Sequence, residues 1–291
     1  MENEYLTNLK EKIENRLYML LSPRGRLYDK VVEAANYSVS NGGKRIRPIL
    51  LLEFYKLCGG DDDCAYNFAC ALEMIHTYSL IHDDLPSMDN DDYRRGKSSC
   101  HKQYGEGMAL LAGDGLLTEA FSVAAKTLSL PYERVCKCIE ILANNAGFDG
   151  MVGGQVIDTE CEPTDNVDVL LNMYDLKTSH LIRSASTIGA TLAGADDETV
   201  AAADKYGYNL GIAFQLIDDI LDTTGDFSKL GKPIGSDEKN DKNTAVKLLG
   251  VERCRELAKQ YTSNALSALD SIEGDKTVLK EITNKLLARD Y

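Results

Sequence analysis

The sequence has no pair of cysteines at C-x-x-C spacing. Its eight cysteines are scattered, and the closest two are Cys136 and Cys138. That spacing argues against a zinc site or a disulfide frame and for the buried thiols of an intracellular chain. No apolar run approaches the length needed to span a bilayer, since the stretch 178–195 is interrupted by His180 and Arg183. The start, Met1-Glu2-Asn3-Glu4, has neither the basic residues nor the apolar run of a signal peptide. Positive charge is also short. Thirty-two lysines and arginines face 46 acidic residues, a net charge of −14. Such a surface repels nucleic acid and anionic membranes. It also repels a phosphate ester unless basic residues are focused in one place or metal ions invert the local sign. The expectation is a soluble, cytoplasmic protein with no nucleic-acid partner and no membrane insertion.

Other absences narrow the fold and the chemistry. There is no alternating strand, no internal repeat and no low-complexity linker. No Ser-His-Asp or Cys-His set is evident, and no glycine-rich dinucleotide loop follows a strand. What is present repeats with helical period. Leu6, Leu9, Ile13, Leu17, Leu20 and Leu21 form one stripe. Further helices are expected over 27–39, from Pro48 to 57, 65–82, 105–128, 131–147, 167–192 and 199–222, with two amphipathic helices at 251–272 and 278–288. The stretch 65–82 is apolar, long and weakly sided, as in a helix buried centrally, and 225–243 reads as a surface loop. With 44% hydrophobic residues the chain can bury a large core. The expectation is a single all-α domain over 1–291, a bundle of long helices around a central cavity.

Two acidic clusters stand out. The first, His82-Asp83-Asp84-Leu85-Pro86-Ser87-Met88-Asp89, ends the central apolar helix. The second, Asp218-Asp219-Ile220-Leu221-Asp222, lies inside another apolar helix. On that helix Asp218 and Asp222 are one turn apart on one face, with Asp219 beside them. Crowded, desolvated carboxylates repel one another and need a cation. Asp83 and Asp89 are six residues apart and would not share a helix face, but Pro86 disrupts the helix between them. Asp83 and Asp84 also sit at a helix C-terminus, where the dipole disfavours anions. Hard oxygen ligands of this kind suit magnesium, completed by waters and a substrate phosphate. The D-x-D-x-D-G spacing of a calcium loop is absent. The two clusters are read as facing each other across a cavity, holding divalent metal ions that grip a diphosphate.

Positive charge is focused near these clusters. Lys44, Arg45 and Arg47 lie in a glycine-opened loop before the helix that starts at Pro48. Together with the exposed amides of a helix start they read as a diphosphate pocket. Arg94 and Arg95 follow the first acidic cluster directly, and Lys177, Lys232 and Lys242 are further candidates. His76 is two turns before Asp83 on the same face, where a satisfied core histidine is the commoner reading of such a residue taken alone. Thr178 and Gln215 place oxygens next to the site. Metal-assisted departure of diphosphate is the chemistry these residues support.

From Gly42 to Lys242 the sequence closely resembles the trans-isoprenyl diphosphate synthases, in particular the bacterial type of farnesyl diphosphate synthase. The resemblance rests on Gly42-Gly43-Lys44-Arg45-Ile46-Arg47-Pro48, on Asp83-Asp84-Leu-Pro-Ser-Met-Asp89 with its two-residue insertion, and on Arg94-Arg95-Gly96. Gly113-Asp114, Gly153-Gly154-Gln155, Lys177-Thr178, the second aspartate cluster and Gly231-Lys232 follow in matching order. It implies an all-α prenyltransferase, usually a homodimer, that uses three magnesium ions. By the same resemblance Asp83, Asp84, Asp89, Asp218 and Asp219 hold metal on the allylic diphosphate, and Asp222 completes the second motif. Arg94, Lys177, Lys232 and Lys242 hold that diphosphate, and Lys44, Arg47, His76 and Arg95 hold isopentenyl diphosphate. Thr178 and Gln215 stabilise the allylic cation.

The implied reaction joins isopentenyl diphosphate head to tail with dimethylallyl and geranyl diphosphate to give the C15 farnesyl product. The family sets product length at Tyr78 and the adjacent Ser79. Tyr78 lies five residues before Asp83, about 7.5 Å down the helix at the α-helical rise. A C20 synthase is the alternative product reading. A terpene cyclase, which has no use for the pocket at Lys44, Arg47 and Arg95, and a non-catalytic regulatory subunit, in which the aspartate motifs are usually degraded, are the other readings. Two features depart from the family pattern: the C-terminus Arg289-Asp290-Tyr291 lacks a final basic residue, and Asn243-Thr244-Ala245 replaces an aromatic–proline pattern after Lys242.

Overall fold

In the computed structural model, residues 4–162, 164–224 and 244–288 are described. Helices follow one another almost without interruption, as the periodicity predicts, and their contacts group into two compact units. The first is drawn from Met1–Ile49 and Asp63–Val135, the second from Leu50–Asp62 and Cys136–Tyr291.

In the first unit α1 (Glu4–Leu20), α2 (Asp29–Ser40) and α6 (Glu106–Ala125) surround α4 (Tyr66–Asp83). The absence of a polar face on α4 has the expected consequence: Phe68, Ala69, Cys70, Leu72, Met74 and Ile75 are all fully buried. Each large apolar side chain sequestered in this way contributes roughly 1.5–3 kcal/mol. After α4 comes a hairpin, β1 (Tyr93–Arg94) paired antiparallel with β2 (Lys97–Ser98), and then the short α5 (Cys100–Tyr104). No strand is expected from the sequence, because two residues cannot display alternation. The sign of the hairpin is its turn, where Arg95 and Gly96 have φ of 54° and 76°, as a type I′ connection requires.

α6 also departs from expectation. Over 20 residues, with a mean hydropathy of 1.3 in its most apolar window, it is long and apolar enough by composition to cross a membrane. Asp114 and Glu119 disguise this in a simple scan. Its buried face, Ala109, Ala112, Leu116, Ala120 and Val123, packs along α4 and α2 as a core helix does.

The second unit holds most of α3 (Ile46–Leu57), α7 (Tyr132–Ala146), α8 (Met151–Glu160) and α9 (Val167–Tyr174). It continues with α10 (His180–Ala193), α11 (Asp197–Thr224), α12 (Ala245–Leu249), α13 (Val251–Asp270) and α14 (Thr277–Leu287). α11 is its axis, packed against α10 and α13. Two differences from the sequence reading matter for the site. The single helix expected over 167–192 is broken by a π turn at Asp175–Ser179. The segment after 147, with no helix expected, contains α8, because Gly153 and Gly154 argue against a helix on propensity alone. The thiols divide as well. Cys70, Cys100, Cys138 and Cys254 are buried as expected, whereas Cys136 and Cys161 are exposed.

Candidate active site

In the first unit, α4 ends at Asp83 and the chain folds back on itself. The amide of Leu85 bonds the His82 carbonyl at 3.1 Å, and the amide of Asp89 bonds the Asp83 carbonyl at 2.9 Å. The turn through Pro86 thus brings together two aspartates that a continuous helix would hold on different faces. Asp84 is buried and receives the Nε of Arg94 at 2.9 Å, with a second, shorter contact from Nη2. Burial pushes its carboxyl up to about 6, against the downward pull of the Arg94 guanidinium. Two residues assigned to metal and to diphosphate are therefore partners of each other here. Arg94 also lies 3.4 Å from Asp91.

The basic set of the first unit gathers around the glycine loop. Arg95 Nη1 donates to the Gly42 carbonyl, and a Cβ on Gly43 would sit 2.7 Å from that nitrogen. This close approach is what the second glycine permits, at a φ of 131°. Arg47 Nη1 lies 3.4 Å from His76 Nε2. Burial, and then the charge of Arg47, hold the His76 imidazole neutral. Arg47 can only donate, so His76 Nε2 is the acceptor and its proton is on Nδ1. Lys44 is exposed beside this group. Arg45 is a correction. Expected as a third pocket cation, it is buried at a φ of 52°, paired with Glu73 at 2.6 Å and Glu14 at 3.2 Å, and it donates to the Val39 carbonyl. It anchors the loop and does not line a pocket.

Tyr78 is buried on α4, with its ring edge-on to His82 at 5.7 Å. Burial first and Asp83 second push its hydroxyl up to about 12. Ser79 Oγ donates to the His76 carbonyl at 2.9 Å. His82 Nε2 lies 3.1 Å from the Leu110 carbonyl, and a Cβ on Gly113 would come within 2.0 Å of it. Gly113 therefore lets α6 approach α4 where the tyrosine stands.

In the second unit the π turn presents Lys177 and Thr178. Such turns recur at functional sites because the extra residue re-aims side chains. Gly154 lies against it, since a Cβ there would be 2.3 Å from the Lys177 amide nitrogen. On the other side Gly211 faces Ser179, where a Cβ would be 2.3 Å from the hydroxyl oxygen. Lys177 Nζ is 2.5 Å from Asp158. Thr178 Oγ1 donates to Gln215 Oε1 at 2.9 Å, and Gln215 Nε2 donates to Asp219 Oδ1 at 3.1 Å. Asp219 and Asp222 are buried on an unbroken stretch of α11, so the one-turn spacing of Asp218 and Asp222 holds. Lys232 and Lys242 lie outside the described residues. Two further residues, Asp158 and Tyr174, are not evident from the sequence and are the partners of Lys177 and Asp219. Their polar groups in a half-apolar stretch were the only signal.

Magnesium fits this donor set. The aspartates of the two clusters offer only carboxylate oxygens, and burial raises the Asp84 carboxyl, as desolvated negative charge does where more positive charge would stabilise it. Among the described residues no three His, Cys, Asp or Glu side chains by themselves enclose an ion.

Comparisons with known proteins agree with this chemistry. Residues 28–285 match the family described as polyprenyl synthetase. The farnesyl diphosphate synthase of Geobacillus stearothermophilus is 42% identical over 99% of this chain and 98% of its own length. The geranylgeranyl diphosphate synthase of Cyanophora paradoxa is 46% identical over 85% of this chain and 83% of its own. A geranyltransferase from Helicobacter pylori, solved with magnesium and isoprenyl diphosphate, superposes with a TM-score of 0.85 at 33% identity, covering 98% of this chain and 96% of that one.

Proposed function

The chain belongs to the polyprenyl synthetase family, and from that premise we propose that it is a prenyltransferase making the C15 farnesyl diphosphate. It condenses isopentenyl diphosphate 1′-4 with dimethylallyl and then geranyl diphosphate, releasing diphosphate at each step. The observation that carries coupling over cyclisation is the convergence of Arg47, His76 and Arg95 near the Gly42–Gly43 loop. An enzyme that ionises a single diphosphate has no use for this second basic group.

The roles follow from the physical chemistry. Magnesium, when bound, neutralises the charge that develops on the departing diphosphate. By the family resemblance, Asp83, Asp84, Asp89, Asp218, Asp219 and Asp222 are the residues that would hold it, three ions in all. Lys177 and Arg94 add fixed positive charge for the allylic diphosphate, with Lys232 and Lys242 assigned by resemblance alone. Lys44, Arg47 and Arg95 hold isopentenyl diphosphate, and a neutral His76 receives the donor from Arg47. The Thr178–Gln215 hydrogen bond fixes the Gln215 carboxamide, so its oxygen can face a cation without reorganising. No side-chain base is assigned, because the departed diphosphate takes the proton.

Product length rests on Tyr78. A buried ring five residues before Asp83, braced by His82, blocks growth along α4. The C20 reading has one observation in its favour, the 46% identity to a geranylgeranyl diphosphate synthase. A homodimer is supported by α6, whose outward side exposes Leu110 (47%) and Leu111 (56%), a surface that a partner would cover. A cytoplasmic location fits eight cysteines without a disulfide. The deciding experiment incubates the purified protein with isopentenyl and dimethylallyl diphosphates, with and without magnesium, and measures product chain length. A C15 product only with magnesium is expected. No condensation refutes the enzyme reading, and a C20 product refutes the stop at Tyr78.

A further inference from the structure

Tyr174 has no role in the reaction as assigned, yet it sits at the centre of the buried hydrogen bonds around Asp219. It ends α9, immediately before the π turn, and is 3% exposed. Its hydroxyl donates to Asp219 Oδ2 and accepts the Ala245 amide at 2.8 Å. The same amide reaches Asp219 Oδ2 at 2.9 Å. One phenol oxygen therefore ties together α9, α11 and the start of α12. The segment so held, Thr244-Ala245, is where the sequence departs from the family pattern.

The surroundings make this arrangement strict. Leu170, Met173, Ile212, Leu216, Ile220 and Cys254 form one buried apolar cluster with Tyr174. A hydrogen bond lost there is not readily replaced by water. A phenol is protonated at neutral pH and a carboxylate can only accept, so the hydroxyl is the donor of this pair. With Gln215 Nε2 on Oδ1, at least three of the roughly four lone-pair directions of the Asp219 carboxylate meet donors of the protein. Turning that carboxylate breaks these bonds together.

We propose that Tyr174 is a positioning residue for the second aspartate cluster: together with the Ala245 amide that it also holds, it fixes the rotamer of the Asp219 carboxylate that would receive magnesium. This rests on the prenyltransferase reading above. Tyr174→Phe removes only the hydroxyl. The half-saturating magnesium concentration is then expected to rise about tenfold, the size of one lost hydrogen bond to a charged group. The KM for the allylic diphosphate rises with it, and the Ala245 amide exchanges with deuterium about tenfold faster. Adding Tyr174→Phe to Asp219→Asn changes magnesium dependence by less than a further twofold, because the tyrosine acts through that carboxylate. Met173→Leu, on the same helix, leaves the magnesium dependence within twofold of wild type.

A Tyr174→Phe protein with a lower Tm but unchanged magnesium half-saturation overturns the proposal and leaves Tyr174 as core packing. If the variant does not fold, exchange in the wild-type protein decides. An Ala245 amide no better protected than the other amides of α12 overturns the proposal, and an amide protected near the global limit upholds it. Wild-type protein without condensation activity refutes the functional reading, whereas an active wild type with an unchanged variant refutes only the role of Tyr174.

Discussion

Replacing Arg94 by methionine keeps a long side chain and removes the cation facing Asp84. Asp84 is 2% exposed and its carboxyl is pushed up to about 6, because burial outweighs the pull of the guanidinium. A carboxyl raised in the folded state binds its proton more tightly there than in the unfolded chain. The associated stability is present in acid and is lost as pH rises from about 4 through about 6, to the extent of roughly 3 kcal/mol. Without Arg94 that downward pull disappears and the carboxyl rises further, so at neutral pH the buried group must stay charged without its partner or take up a proton. Breaking a buried pair from one side costs roughly 3–5 kcal/mol, about 5–8 °C in Tm for a protein of this size. At pH 5 Asp84 is protonated in both proteins, so the difference between them shrinks to lost packing, roughly 1 kcal/mol. Thermal unfolding of wild type and Arg94→Met at pH 5 and pH 8 reads this directly. Adding Asp84→Asn is expected to recover most of the loss at pH 8. An equal loss at both pH values, or no recovery, refutes the pairing as the source of stability.

Three further outcomes are expected. Tyr78→Ala lengthens the product beyond C15, seen by chromatography of the dephosphorylated alcohols, and an unchanged distribution removes Tyr78 as the stop. Gly113→Ala drives a Cβ to 2.0 Å from His82 Nε2, so it costs roughly 1–3 kcal/mol by overpacking and loosens the brace behind Tyr78; a stable variant with wild-type product lengths contradicts this. Because burial and Arg47 hold His76 neutral, kcat/KM for isopentenyl diphosphate shows no inflection from this residue between pH 6 and 8. An inflection there that vanishes in His76→Asn shows that the imidazole titrates after all.

Much of the molecule is legible in its residues. Period-3.6 apolar stripes define nearly every helix, and a stretch without a polar side can only be central, as α4 is. The acidic clusters are legible because carboxylates embedded among isoleucines and leucines need an external cation. Pro86 between Asp83 and Asp89 announces the fold-back that the Asp89 amide then makes onto the Asp83 carbonyl. These are local facts, carried by a helix period, a missing amide proton and the cost of desolvating charge. The same principles failed where a signal was too short or was cancelled, as in the two-residue strands at Tyr93 and Lys97 and the α8 helix containing Gly153 and Gly154.

Tertiary structure decided the partners. Lys44, Arg45 and Arg47 are alike in sequence, yet Arg45 is buried on Glu73 and Glu14 while Arg47 meets His76. Helical periodicity runs straight through Asp175–Ser179, and only packing against α8 and α11 reveals the π turn that aims Lys177 and Thr178. Tyr174, Asp219 and Ala245 share one phenol oxygen although dozens of residues separate them in the chain. Residue order alone dictates which side chains must be buried and which charges need a counterion. Which counterion each met depended on distances of a few ångströms between segments remote in sequence, and only the folded chain sets those.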